Sequence, residues 1–122
     1  MSDTFGPYSP LRQTGSHYFV SGQVGVDPHT KSAPSDSVRQ ATQALDNLRA
    51  LLKSHGLTMD NVVKTTIFLT NMDDFAAVND IYMTYFSDPR PARTTVGVKA
   101  LPQIGSNPLL IEIEALAYKG EL

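Results

Sequence analysis

The sequence predicts a single domain, spanning 1–122, in which two amphipathic helices cover one face of a β-sheet. Apolar residues recur at three- and four-residue steps over 38–52 and again over 75–86, the spacing of a helix lying on an apolar surface. Over 62–69 and 109–118 the pattern changes to alternation with a period of two, the mark of strands with one buried side. At 122 residues the chain is long enough to bury most of its apolar surface around one core without disulfides or metal.

The elements follow in order. Gly6-Pro7-Tyr8-Ser9-Pro10 is rich in turn formers and reads as an irregular lead-in. Tyr8 is its one large side chain, packed on the domain's surface or lining a ligand site. His17 to Ser21 and Gln23 to Val26 read as two strands, or as one interrupted by Ser21-Gly22, where the glycine marks a bulge or a close approach by another group. Asp27 to Lys31 forms a turn.

Ser35 or Ser37 caps the first helix, and Ser37-Val38-Arg39-Gln40 fits a capping box. Its buried stripe is Val38, Ala41, Leu45, Leu48 and Leu52, widened by Ala44 and Leu51, and it runs to about Ser54. Gly56 supplies a left-handed stop, with His55 beside it favouring the helix dipole. Val62 to Leu69 is an inner strand with Val63, Thr65, Ile67 and Leu69 on one side. Asn71 or Asp73 caps the second helix, whose stripe is Phe75, Val78, Tyr82 and Tyr85 or Phe86. Asn79 lies in or beside that stripe, so its amide needs partners, either main chain or ligand.

Arg90 to Val96 turns that helix into a strand that places Arg93, Thr95 and Gly97 on one face and Thr94, Val96 and Val98 on the other. After a loop from Leu101 to Pro108, the last strand sets Ile111, Ile113, Ala115 and Ala117 against Glu112, Glu114, Leu116 and Tyr118. If the apolar faces of both strands meet the helices, Arg93, Glu112 and Glu114 face outward together. Arg93 then either grips the carboxylate of a small acid with its planar fork of donors or forms a structural ion pair with Glu112 or Glu114. The open face also carries Phe68 and Leu116, so a symmetric oligomer whose subunits cover one another's sheets is expected.

Several function classes fall away. The formal charge of −2 and the scattered Lys and Arg argue against a partner rich in phosphate, so no nucleic acid is expected. No apolar run approaches bilayer length, and Met1-Ser2-Asp3-Thr4 does not open a signal peptide, so neither membrane nor export is expected. Absence of cysteine permits a cytoplasmic home and removes a thiol nucleophile. There is no Gly-x-x-x-x-Gly-Lys loop, and His17, His29 and His55 lack the spacing of a metal site.

Gly6-Pro7-Tyr8, Val20-Ser21-Gly22-Gln23, Asp74-Phe75-Ala76-Ala77-Val78-Asn79, Pro91-Ala92-Arg93 and Ile111-Glu112-Ile113-Glu114-Ala115 together resemble the Rid family, the reactive intermediate deaminases also called YjgF. The resemblance spans nearly the whole chain. It implies a chorismate-mutase-like α+β fold, a mixed sheet with two helices on one face, assembled as a homotrimer with the sheets facing inward and clefts between subunits. It further implies hydrolysis of 2-imino acids such as 2-iminobutanoate and 2-iminopropanoate to 2-oxo acids and ammonia, with no metal or cofactor. In that reading Arg93 holds the substrate carboxylate and Glu112 orients or activates water. Tyr8 closes the cleft, Ser21 and Gly22 line it, Asn79 supports its wall, and the main chain near Thr95 accepts a hydrogen from the water. Thr95 stands where many members carry cysteine, and the loop from Pro102 to Pro108 looks several residues longer than is typical. The alternatives are a binding module that holds a 2-oxo acid without turnover and, more weakly, a ribonuclease or translation inhibitor.

Overall fold

The computed structural model describes residues 4–120, so Met1, Ser2 and Asp3, the start of the segment read as no signal peptide, lie outside the described residues. The chain runs β1 (Leu11–Thr14), β2 (His17–Val24), α1 (Ser37–Ser54), β3 (Val62–Leu69), α2 (Phe75–Tyr82), β4 (Ala92–Gly97) and β5 (Ile111–Tyr118). The strands form one mixed sheet in the order β1-β2-β5-β3-β4, with β3 and β4 parallel and the other pairs antiparallel. Both helices lie on one face. Ala41, Ala44, Leu45, Leu48, Leu51 and Leu52 of α1 and Val78 and Tyr82 of α2 share a core with Ile67, Leu69, Ile111 and Ile113 of the sheet. No helix among the described residues is long and apolar enough to cross a membrane.

Local chemistry explains where the elements begin and stop. Asp36, not Ser35 or Ser37, caps α1, accepting from the Arg39 amide at 2.9 Å. The expected capping box does not form, because Gln40 is drawn into the interior instead. It donates to Pro34 O and Pro108 O at 2.8 and 2.9 Å and accepts from Leu110 N at 2.8 Å. Val38 stays 37% exposed, outside the stripe expected to contain it. Gly56, with φ of 74°, ends the helical turn in the left-handed region as expected. Asn71 accepts from Asp73 N at 3.0 Å and opens the short 3-10 turn that leads into α2.

Two bulges shift the alternation read from sequence. One lies between Val20 and Gln23, so His17–Val24 is a single bent strand and Gly25 and Val26 fall outside it. The other lies between Val62 and Lys64, burying Val62 and leaving Val63 46% exposed, the reverse of the expected side for Val63. β1 has no counterpart in the sequence reading. It pairs with β2 from Leu11 opposite Val20 to Thr14 opposite His17.

Candidate active site

Arg93 stands near the start of β4, an edge strand with unpaired main-chain groups along its outer side. It is the register partner of Thr65, which is wholly buried beneath α2, so its side chain rises on the helix face. Arg93 Nη2 donates to Asn79 Oδ1 at 2.6 Å. The guanidinium carbon lies 5.5 Å from the centre of the Phe75 ring and 4.8 Å from that of Tyr82. Tyr82 is fixed in turn by a 2.8 Å hydrogen bond between its hydroxyl and Thr65 Oγ1, and burial pushes its phenol above the ordinary value. Among the described residues the Asn79 side chain thus holds Arg93 and does not tie α2 to the main chain.

Glu112 is on the other face. It is opposite Phe68 and Val24, while its neighbours Ile111 and Ile113 point into the core. The half-buried carboxyl is pushed above its ordinary value, first by desolvation and then by the charge of Glu114. A Cβ at Gly22 would meet that side chain head on, 2.6 Å from its carboxyl carbon and 2.8 Å from Cγ, so the β2 bulge brings a bare backbone against the acid. Both meanings of the glycine, bulge and close approach, hold together. Ser21 Oγ donates to Ser9 O at 2.6 Å, and Ser21 N to Pro10 O at 3.0 Å, so this residue pins the lead-in that carries Tyr8.

The expectation that Arg93, Glu112 and Glu114 share a face is therefore wrong. Parallel pairing with β3 decides the orientation of β4, and it sends Arg93 toward α2. Strand spacing puts the Arg93 and Glu112 Cα atoms about 14 Å apart, with side chains on opposite faces. Among the described residues no carboxylate pairs with Arg93, so the structural ion pair is not formed within the chain.

The predicted site residues fall into two groups. Arg93 and Asn79, with Tyr82, Met83, Arg90 and Pro91, line a shallow depression of about 350 Å³. Tyr8, Ser21 and Gly22 border a deeper cavity of about 420 Å³ reaching to Val24, Val26 and Asn47. Tyr8 is 49% exposed at its mouth. Thr95 follows Arg93 on the helix face, and its hydroxyl is buried without a hydrogen-bond partner among the described residues. The sequence reading treated Phe75 and Tyr82 as core stripe. Their signal was the 75, 79, 82 spacing, which stacks both rings and the Asn79 amide along one side of α2.

A mixed five-stranded sheet under two helices, with an arginine at one edge and a half-buried glutamate on the opposite face, defines a small α+β protein of the YjgF type. Residues 2–119 match the family described as Endoribonuclease L-PSP. The chain belongs to that family, the Rid or YjgF/RidA family. It is 47% identical over 116 residues to a mouse 2-iminobutanoate/2-iminopropanoate deaminase, covering 94% of this chain and 83% of the relative. Among solved structures it resembles RidA from an Antarctic Psychrobacter, with a TM-score of 0.91 at 34% identity, covering 97% of this chain and 93% of that one. It also resembles Escherichia coli TdcF with bound serine, with a TM-score of 0.88 at 35% identity, covering 98% and 93%.

Proposed function

We propose that this chain hydrolyses 2-imino acids, such as 2-iminobutanoate and 2-iminopropanoate, to 2-oxo acids and ammonia in clefts between the subunits of a homotrimer. The observation that carries the reading is a guanidinium anchored at one nitrogen by Asn79 and paired with no carboxylate among the described residues, so its other donors are available to a ligand acid. Relatives from mouse, goat and mite named as this deaminase support the choice of substrate. The division of the site supports the assembly. Arg93 and Asn79 belong to one edge and face of the sheet, Glu112, Gly22 and Tyr8 to another region, and a neighbouring copy supplies what each lacks.

The chemistry asks little of the protein. Arg93 fixes the carboxylate and so places the electrophilic imine carbon. The imine enters protonated; water adds to its carbon, Glu112 takes one proton from that water, and the π electrons pass to nitrogen, giving a neutral carbinolamine. Glu112 returns that proton to nitrogen, and as the C–N bond breaks it takes the hydroxyl proton while the carbonyl closes, releasing ammonia and the 2-oxo acid. A carboxyl whose pKa is raised by burial suits both halves of this exchange. The main chain near Thr95 accepts the water's second hydrogen. The lack of cysteine fits a cytoplasmic setting, where enzymes that dehydrate serine or threonine release such imines.

An amino acid oxidase generating iminopropanoate in the presence of semicarbazide tests the proposal. The protein is expected to suppress semicarbazone formation, and Arg93→Ala to lower kcat/KM about 100-fold or more, as loss of a charge-paired anchor does. Binding of 2-oxobutanoate without turnover would replace the enzyme by a binding module. RNA cleavage that survives Arg93→Ala would favour the ribonuclease reading.

A further inference from the structure

A guanidinium on a long side chain has many rotamers, and one hydrogen bond to Asn79 Oδ1 restrains a single nitrogen. Rotation about that contact would swing the remaining donors through a wide arc, which is a poor way to meet a small carboxylate from two directions. The rings of Phe75 and Tyr82 supply the missing restraint, since a cation within about 6 Å of an aromatic centre is attracted to the ring. Tyr82 is itself immobilised by the Thr65 hydroxyl and by the Phe86 ring 4.6 Å away. Phe75 differs. It is 38% exposed at the beginning of α2, so core packing alone does not account for an aromatic residue there.

We infer that Phe75 and Tyr82 form an aromatic cradle that orients the Arg93 guanidinium, with Phe75 acting as a positioning residue for the carboxylate of the bound acid. The last clause rests on the reading of Arg93 given above; the cradle itself is a property of the unliganded chain. Asn79 sets where the guanidinium is hinged, and the rings set the direction in which its open donors point. An aliphatic residue at 75 would fill similar space without attracting the cation.

Tyr82 is packed too deeply for clean substitution, so the exposed Phe75 carries the test. The Arg93 Nε–H signal, assigned by its disappearance in Arg93→Lys, is followed by nitrogen-15 relaxation in the whole protein without ligand. In the wild type its order parameter is expected near the rigid value of about 0.85; in Phe75→Leu it falls below about 0.6, and in Phe75→Trp it is restored. The Kd for 2-oxobutanoate, by calorimetric titration, rises about twofold to fivefold in Phe75→Leu and returns in Phe75→Trp. An Arg93 as rigid in Phe75→Leu as in the wild type, or one that tryptophan fails to restore, overturns the cradle. Unchanged affinity in Phe75→Leu overturns its positioning role. If the wild type binds no 2-oxo acid, the functional reading fails and the order parameters still decide the cradle.

Discussion

A carboxyl half-buried beside a second acid, with no cation paired to it among the described residues, destabilises the fold that holds it, and Glu112 is in that position. Because the folded chain binds this proton more tightly than the unfolded chain, stability falls as pH rises from the ordinary glutamate value of 4.5 through the raised one, and stays lower above it. Glu112→Gln removes that burden. Its Tm at pH 7 is expected to rise by roughly 4 °C for each 1 kcal/mol regained, as a domain of about this size responds, while kcat is expected to fall about 100-fold or more with loss of the proposed general base. In the proposed reaction the same ionisation would govern turnover: kcat/KM of the wild type is expected to fall as pH drops through a value above 4.5, and Glu112→Gln to lack that limb. Scanning calorimetry and pH profiles on both proteins check the pair. A variant that is inactive and less stable would mean that Glu112 is held by favourable contacts.

At the scale of elements, the buried Gln40 amide ties α1 to two stretches: the turn just before it, through Pro34, and the distant run from Pro108 to Leu110 that leads into β5. The backbone passes so closely here that a Cβ at Gly25 would lie 2.6 Å from both Gln40 Cα and Gln40 O. Gln40→Leu keeps the volume and strands two carbonyls and one amide, each costing about 1–3 kcal/mol when buried unpaired. A loss of at least about 3 kcal/mol is expected from urea unfolding at fixed protein concentration with an unchanged m-value. Helices α1 and α2, with strands β3 and β5, were legible because their apolar spacing is dense. β1 was not, since Leu11-Arg12-Gln13-Thr14 has one large apolar residue and owes its conformation to pairing with β2. The Gln40 cluster was invisible because its partners are main-chain groups up to 70 residues away. Within the site, Arg93, Asn79, Gly22 and Glu112 could each be named from sequence, but the face taken by Arg93 could not. β4 has one threonine on each side, beside Arg93 and Gly97 on one and Ala92 and Val96 on the other, so neither side is marked as the buried one, and its parallel register with β3 makes the choice.

For the whole molecule, the sheet face opposite the helices decides how the two parts of the site can meet. Phe19 opposes Leu116 across β2 and β5, and Phe68 opposes Val96 across β3 and β4. Phe19 is 50% exposed, Val96 is also exposed, and Phe68 and Leu116 are half-buried, with Glu112 on the same face. An exposed apolar patch of this kind is normally covered, and closed symmetry lets copies of one chain cover each other without leaving an edge. Three 13.3 kDa chains would scatter light as a particle of about 40 kDa. Leu116→Asp puts a charge into the patch without touching Arg93, Asn79 or Tyr8, and is expected to yield a single-chain particle with native helix content by circular dichroism. That monomer keeps Arg93 and Glu112 yet leaves them on opposite faces of one sheet, so imine hydrolysis should disappear along with assembly. Mixing Arg93→Ala with Glu112→Gln subunits then separates a shared site from a general need for assembly. If neighbouring chains complete each site, some clefts in the mixed trimers unite an intact Arg93 with an intact Glu112, and activity returns to a fraction of the wild-type value. A mixture as inactive as its parents, with exchange of subunits demonstrated by mass, would place both residues' work within one chain and remove the reason for the trimeric cleft.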